Sequence, residues 1–315
     1  MCSSDLLGIL VPVVAAVTIA RAIRPQRAYG DDPPPDTLAT DFAWERRTVG
    51  RVRILTTGLA GFLTATVLAL PFGLSPVGLI QQVFQAAGGY PYVSVNAYNP
   101  WALVTLNGDG IAANSLWVCD ALSRPVAAFR ITVGPIVLWD QPAITSSPCL
   151  DAATIGPFPA VAIGTALLLV AFAAVTLLVA RRPDRRTILL GVVVLALAFF
   201  VLPTRVHERY LFPLVGLGAI LAAVSRRWLA AYVVASAAMF VNMYVVLVVL
   251  YPNNPGVVDW LDLGATLKST PVVTSVALSL LAVLVFAFLQ FRPRALATLA
   301  EEIADAAESG PVAPA

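Results

Sequence analysis

The segment Val206–Pro213, VHERYLFP, sets the chain's only histidine, a glutamate and an arginine side by side between two strongly apolar stretches. Residues His207, Glu208 and Arg209 must therefore sit at a membrane face or in a polar cavity. Ionisable groups at that depth are costly to desolvate and are usually retained for function. The guanidinium of Arg209, and that of Arg205 four residues earlier, could hold a phosphate by charge-assisted hydrogen bonds. His207 could add a donor to a bridging phosphate oxygen, and Glu208 could orient an arginine or accept from a sugar hydroxyl. Neighbours on a helix point about 100° apart, so the three meet one ligand only if the chain turns here. Pro203 supplies a break, and Pro213 is expected to hold Phe212 out of helical geometry. The competing reading is an interfacial cluster that merely ends a helix.

The elements that would carry this cluster follow from composition. Hydrophobic residues make up 59% of the chain and charged residues 12%, the balance of an integral membrane protein. A spanning helix needs about 20 mostly apolar residues, because a rise of about 1.5 Å per residue must cover about 30 Å of hydrocarbon. Seven stretches come close: Leu6–Ala20, Ile54–Leu74, Phe158–Ala180, Thr187–Pro203, Tyr210–Ser225, Trp228–Tyr251 and Pro271–Phe291. They are too long and too continuous for the roughly 10-residue strands of an outer-membrane barrel. The expected fold is an all-α polytopic membrane protein with about seven transmembrane helices and one large external loop.

Arginine sets the orientation. Of 19 arginines, 15 fall in Arg21–Arg53, Arg181–Arg186, Arg226 with Arg227, and Arg292 with Arg294. If the first segment runs inward, alternate crossings put all four clusters on the cytoplasmic side. Arg124, Arg130, Arg205 and Arg209 are left outside. A cleaved secretory signal over the first segment would put seven arginines on the wrong face. At 15 residues, Leu6–Ala20 is short for a crossing, and an N-terminal part of the natural protein is expected to precede it. The membrane domain is thus 1–294, with a cytoplasmic linker at 21–53 around Asp31–Asp36 and an external loop at 75–157. A cytoplasmic tail, 295–315, carries Glu301, Glu302 and Asp305 on a short helix before a disordered end.

In the external loop, Pro76–Ala87 has the spacing of a short interfacial helix. Tyr90–Trp101 follows with aromatic and amide groups. Its Tyr92, Asn96, Tyr98, Asn99 and Trp101 either anchor the chain at the headgroup level or line a sugar-binding surface. Ile131–Trp139 reads as a strand or a buried loop core. Cys119 and Cys149 share this side, where an oxidising compartment permits a disulfide closing a loop of about 30 residues. Spacing alone leaves that pairing open. Three cysteines without paired spacing and one histidine give no metal site, and neither a Walker loop nor a dinucleotide fingerprint occurs, so no cofactor is expected. Arginines spread over loops read as topological signals, not a nucleic-acid surface. The lipid bilayer is the expected partner.

The VHERYLFP segment, together with YPYVSVNAYNPWAL earlier on the external loop, resembles the C-terminal half of bacterial membrane glycosyltransferases of the GT-C superfamily, in the group related to the second mannosyltransferase of GPI-anchor synthesis. The motifs cover about 22 residues directly, and the alternation of helices and loops extends the likeness over most of the chain. The resemblance implies transfer of a hexose, mannose in that group, from a polyprenyl-phosphate sugar to an acceptor on the extracytoplasmic face of the bacterial cytoplasmic membrane. His207, Arg209 and Arg205 would then face the donor phosphate, and Glu208 would orient them. The family's catalytic acid lies on a first external loop that this chain lacks. None of Asp109, Asp120, Asp140 and Asp151 occupies the matching position, so the catalytic base is unassigned and this chain alone is expected to be inactive if it is a truncated form. A lipid-linked sugar carrier or flippase and a non-catalytic membrane scaffold are the other readings.

Overall fold

The structure is a computed structural model and describes residues 3–23, 51–72, 75–78, 90–104, 118–122, 129–133, 136–141, 149, 151–250 and 256–308. Most of the linker at 21–53, the interfacial segment beyond residue 78, Asp109, Cys2 and the end from 309 lie outside the described residues. A helix occupies each of the seven apolar segments: α1 (Ser3–Ile23), α2 (Arg51–Ala69), α3 (Ala160–Arg181), α4 (Arg185–Val201), α5 (Phe212–Val224), α6 (Arg226–Val245) and, after a four-residue α7 (Gly264–Leu267), α8 (Thr270–Leu289). Three are long and apolar enough to cross a membrane: α3 with 22 residues, α6 with 25 when its π-helical end Val246–Leu250 is counted, and α8 with 20.

The architecture follows from where the apolar surface is closed. Helix α4 is apolar on every side, and Leu190–Ala198 is buried throughout, as expected for the centre of a bundle. It packs against α1, α3, α5 and α8. The helices around it keep apolar faces exposed, including Val170 on α3 (67% exposed) and Leu278 on α8 (55%), as does α6 at Phe240 (58%). Apolar surface on this scale is compatible with a lipid bilayer. Asp184 starts α4 by accepting from the Arg186 and Thr187 amides at 3.1 and 3.0 Å, the usual satisfaction of orphan N–H groups at an N-cap.

Two departures from the sequence reading concern local structure. Phe212 is helical (φ −51°, ψ −42°) and Pro213 lies in the first turn of α5, where a missing N–H breaks no intrahelical bond; the expected exclusion of Phe212 from the helix does not occur. The fold also departs from all-α. Phe129–Val133 (β1) and Ile136–Gln141 (β2) form an antiparallel hairpin, and Thr154–Ile155 (β3) pairs with Phe158–Pro159 (β4). The described residues of Ile131–Trp139, 131–133 and 136–139, are strand, as one expectation had it, but Ile131 is 50% exposed, so this part of it is not a buried loop core. Beyond α8, the helix Pro293–Glu308 (α9) is longer than the short helix expected. It buries Leu299, and its Glu302 meets Arg227 at 3.0 Å.

One glycine couples this framework to the turn after α4. A Cβ on Gly164 of α3 would lie 2.8 Å from the Thr204 backbone nitrogen and 3.2 Å from Pro203 Cα. Backbone cannot move aside like a flexible side chain, so Gly164→Ala is expected to destabilise by about 1–3 kcal/mol. The check is the heat-inactivation midpoint in detergent, followed by size-exclusion fluorescence; an unchanged midpoint would mean that the two segments separate at no cost.

Candidate functional site

The turn Pro203–Leu211 is built against the loop 90–104, two segments about a hundred residues apart. Val95 N donates to Val206 O at 2.9 Å, Arg205 N donates to Tyr92 O at 3.0 Å, and His207 pairs with both Val95 and Asn96 in β-bridges. Arg205 has φ +62°, a left-handed conformation that costs a non-glycine residue about 1–2 kcal/mol. Its side chain supplies the compensation. Asp120, fully buried, receives Arg205 Nε at 2.7 Å and Nη2 at 3.0 Å in a fork, and the Thr204 hydroxyl at 2.7 Å. The direct duty of Arg205 is thus to neutralise a buried carboxylate and fix the turn.

Asp120 is held in turn by its chain neighbours. Its amide donates to Pro91 O at 2.9 Å, its carbonyl accepts from Val161 N at 3.2 Å, and Cys119 is disulfide-bonded to Cys149 with Cα atoms 5.9 Å apart. The pairing that spacing left open is made.

Beyond this anchor the chain turns, as the three adjacent ionisable residues require. His207 is extended (φ −87°, ψ 152°) and Glu208–Leu211 forms a 3-10 turn. The Arg209 side chain is about a third exposed and places Nη1 3.1 Å from Glu208 Oε1. Its guanidinium carbon stands 5.9 Å from the Tyr210 ring centre, within range of a cation–π contact. The His207 ring sits between Tyr90, edge-on at 5.0 Å, and Tyr210 at 5.3 Å. Burial, with help from Arg209, lowers His207 to about 4, so it is a neutral imidazole at physiological pH. The 3.8 Å approach of its Nδ1 to Glu208 Oε2 is therefore not an ion pair at neutral pH. Burial raises the Glu208 carboxyl, and Arg209 opposes the rise.

A lowered histidine has a definite consequence for stability. Above the unfolded value of 6.5 neither state protonates it; below that value the unfolded chain takes up the proton first, and stability falls until the folded value near 4 is reached. Glu208, shifted upward, acts in the opposite sense and persists when His207 is replaced. The melting midpoint of wild type should accordingly drop relative to His207→Gln as pH is lowered from 6.5 to 4. Parallel midpoints across that window would refute the buried neutral imidazole.

The loop residues expected at a headgroup belt or sugar surface are turned inward instead. Asn99 is fully buried and donates Nδ2 to Phe200 O at 3.1 Å, and Trp101 donates Nε1 to Leu202 O at 2.7 Å. They satisfy carbonyls at the end of α4, which have no partner within the helix. Asn242 of α6 accepts from Tyr98 N at 3.0 Å and donates to Asn96 O at 2.6 Å, clamping the left-handed Asn96. Tyr98 is buried, its hydroxyl 3.3 Å from Leu267 O, and burial raises its pKa. Tyr92 is half-buried and bridges to Cys119.

Among the described residues of this site, Tyr90 is exposed, the Arg209 side chain is about a third exposed and His207 keeps an edge open. Sequence reasoning did not place Tyr90, Asp120 or Asn242 in the site, since no local pattern marks partners so distant in the chain, and it passed over Tyr210, which stands beside Arg209 in the segment itself. Of the other acids in the 75–157 segment, Asp151 is exposed and Asp140 lies on β2. Among the described residues no group of three or more metal-ligating side chains occurs. No family model, curated protein or solved structure matches this chain, so any assignment of function rests on these residues and their geometry.

Proposed function

We propose that this chain is a membrane glycosyltransferase, of the kind its two motifs resemble, that moves a hexose from a polyprenyl-phosphate sugar to an acceptor. One observation carries the reading: the two motifs behind the resemblance pair directly, through Val95–Val206 and the His207 bridges, and leave Arg209 at the surface beside them. In this reading the seven helices cross the bacterial cytoplasmic membrane, the arginine-rich end faces the cytoplasm and the His207 end faces outward. The donor is a mannosyl lipid, as in the group resembled.

The reaction is a single displacement. The acceptor hydroxyl oxygen bonds to the anomeric carbon as the bond from that carbon to the phosphate oxygen breaks, which inverts the centre. A carboxylate base takes the acceptor's proton, and none of the described residues is assigned that part. Arg209 neutralises charge developing on the leaving phosphate, with Glu208 fixing its guanidinium. Neutral His207 donates one N–H, and Arg205 acts through the turn it stabilises.

The test is transfer from radiolabelled polyprenyl-phosphate mannose in membranes, in this chain and in a form extended by any upstream coding sequence. Arg209→Ala is expected to lower transfer about 10²–10³-fold, the usual loss of one transition-state donor. His207→Gln, which keeps a neutral N–H, should retain more transfer than His207→Ala. Absence of transfer in both forms with donor binding intact would favour a lipid-linked sugar carrier instead.

A further inference from the structure

At the opposite end of the bundle, a cleft of about 210 Å³ separates the α3–α4 turn from the first turns of α9. Arg182, Asp184 and Arg186 lie on one side, and Leu296, Ala297 and Ala300 on the other. Asp184 contributes little free acceptor capacity, because its Oδ1 takes the Arg186 and Thr187 amides and its Oδ2 takes the Thr187 hydroxyl at 2.7 Å. Arg186 Nε is 3.7 Å from Asp184 Oδ1 with both side chains nearly half exposed, a contact of little energetic weight. The cleft therefore presents guanidinium groups on one wall and apolar carbon on the other.

We propose that this cleft binds the phosphate of an anionic lipid headgroup. Guanidinium forks match phosphate oxygens bidentately, and the volume is below the roughly 300–1,000 Å³ of sites that enclose a whole small molecule. A headgroup with its tails outside meets both constraints. Apolar surface lies close at hand for those tails: Leu177, 58% exposed, is one helical turn before Arg181 on α3. Exposed Arg292 and Arg294 flank the base of α9 and add to the attraction. The proposal rests on the membrane reading of the chain and is independent of sugar transfer.

The experiment is native mass spectrometry of the detergent-solubilised protein with phosphatidylglycerol or phosphatidylcholine. Wild type should retain phosphatidylglycerol in preference, and the Arg182→Gln/Arg186→Gln pair should lower that retention about tenfold or more. Arg226→Gln, at the same end but outside the cleft, should leave it unchanged. Equal retention of the two lipids, or an equal drop in the Arg226 variant, would overturn the proposal by reducing it to diffuse surface charge. Inorganic phosphate is the second probe: displacement of bound lipid by phosphate supports a shared site, whereas phosphate binding without selective lipid retention overturns the lipid assignment. If the glutamine pair fails to fold, Arg182→Lys/Arg186→Lys keeps the charge without the fork and should show an intermediate loss; full retention there counts against the proposal.

Discussion

Asp120→Ala is expected to destabilise the protein by about 3 kcal/mol, the lower part of the range for breaking a buried pair, because the Arg205 guanidinium is partly hydrated. Two effects combine. Arg205 loses both fork contacts and Thr204 loses the acceptor for its hydroxyl. The left-handed backbone at Arg205, whose amide donates to Tyr92 O, then loses the side-chain fork that offsets its cost. Asp120→Asn, which still accepts from Thr204, should cost less. Against a typical net stability of about 5–15 kcal/mol the loss is large, and the melting midpoint in detergent should show it directly. Because the turn leads into His207, under the proposed function binding of a polyprenyl-phosphate sugar should weaken as well. A midpoint equal to wild type would mean that the ion pair is incidental and that the turn is held elsewhere.

Removing the Cys119–Cys149 disulfide by a double alanine substitution is expected to cost a similar amount. The sequence separation is 30 residues, and constraint of the unfolded chain over a loop of that length contributes roughly 3–4 kcal/mol in the chain-entropy account. Cys119 adjoins Asp120, and the same short segment receives Ala153 N on Cys119 O and Val161 N on Asp120 O. The two perturbations therefore share partners. Combined, they should lower stability by less than the sum of the separate effects, since either one already loosens the 118–122 segment. Thermal midpoints of wild type, the cysteine double variant, Asp120→Ala and the combination form the required cycle; strict additivity would show that bond and ion pair act on separate parts of the molecule.

The central place of α4 was not legible, since α3, α5 and α8 are just as apolar in sequence, but the positions of the helices were, because long apolar runs leave few alternatives. The chain's turn at His207–Arg209 was equally legible from Pro203. Pro213 was misread because the same ring that breaks a helix interior is tolerated in a first turn, and only the helix start distinguishes the two. Asn99 and Trp101 looked like surface groups because polar and amphipathic residues occupy headgroup belts. Their burial depends on unpaired carbonyls at the end of α4, a hundred residues further along the chain.

By itself the sequence determined a helical, strongly apolar chain with its ionisable residues gathered between helices, because hydrophobic run length and charge placement are local properties. Tertiary structure alone decided which charges are spent on the fold. Arg205 and Arg209 are alike in sequence, yet one is forked onto Asp120 and the other stands at the surface beside Glu208. The choice between Cys119–Cys149 as thiols and as a bond was settled the same way. Pairing energies act over a few ångströms, and residues that distance apart in space may stand anywhere in the chain.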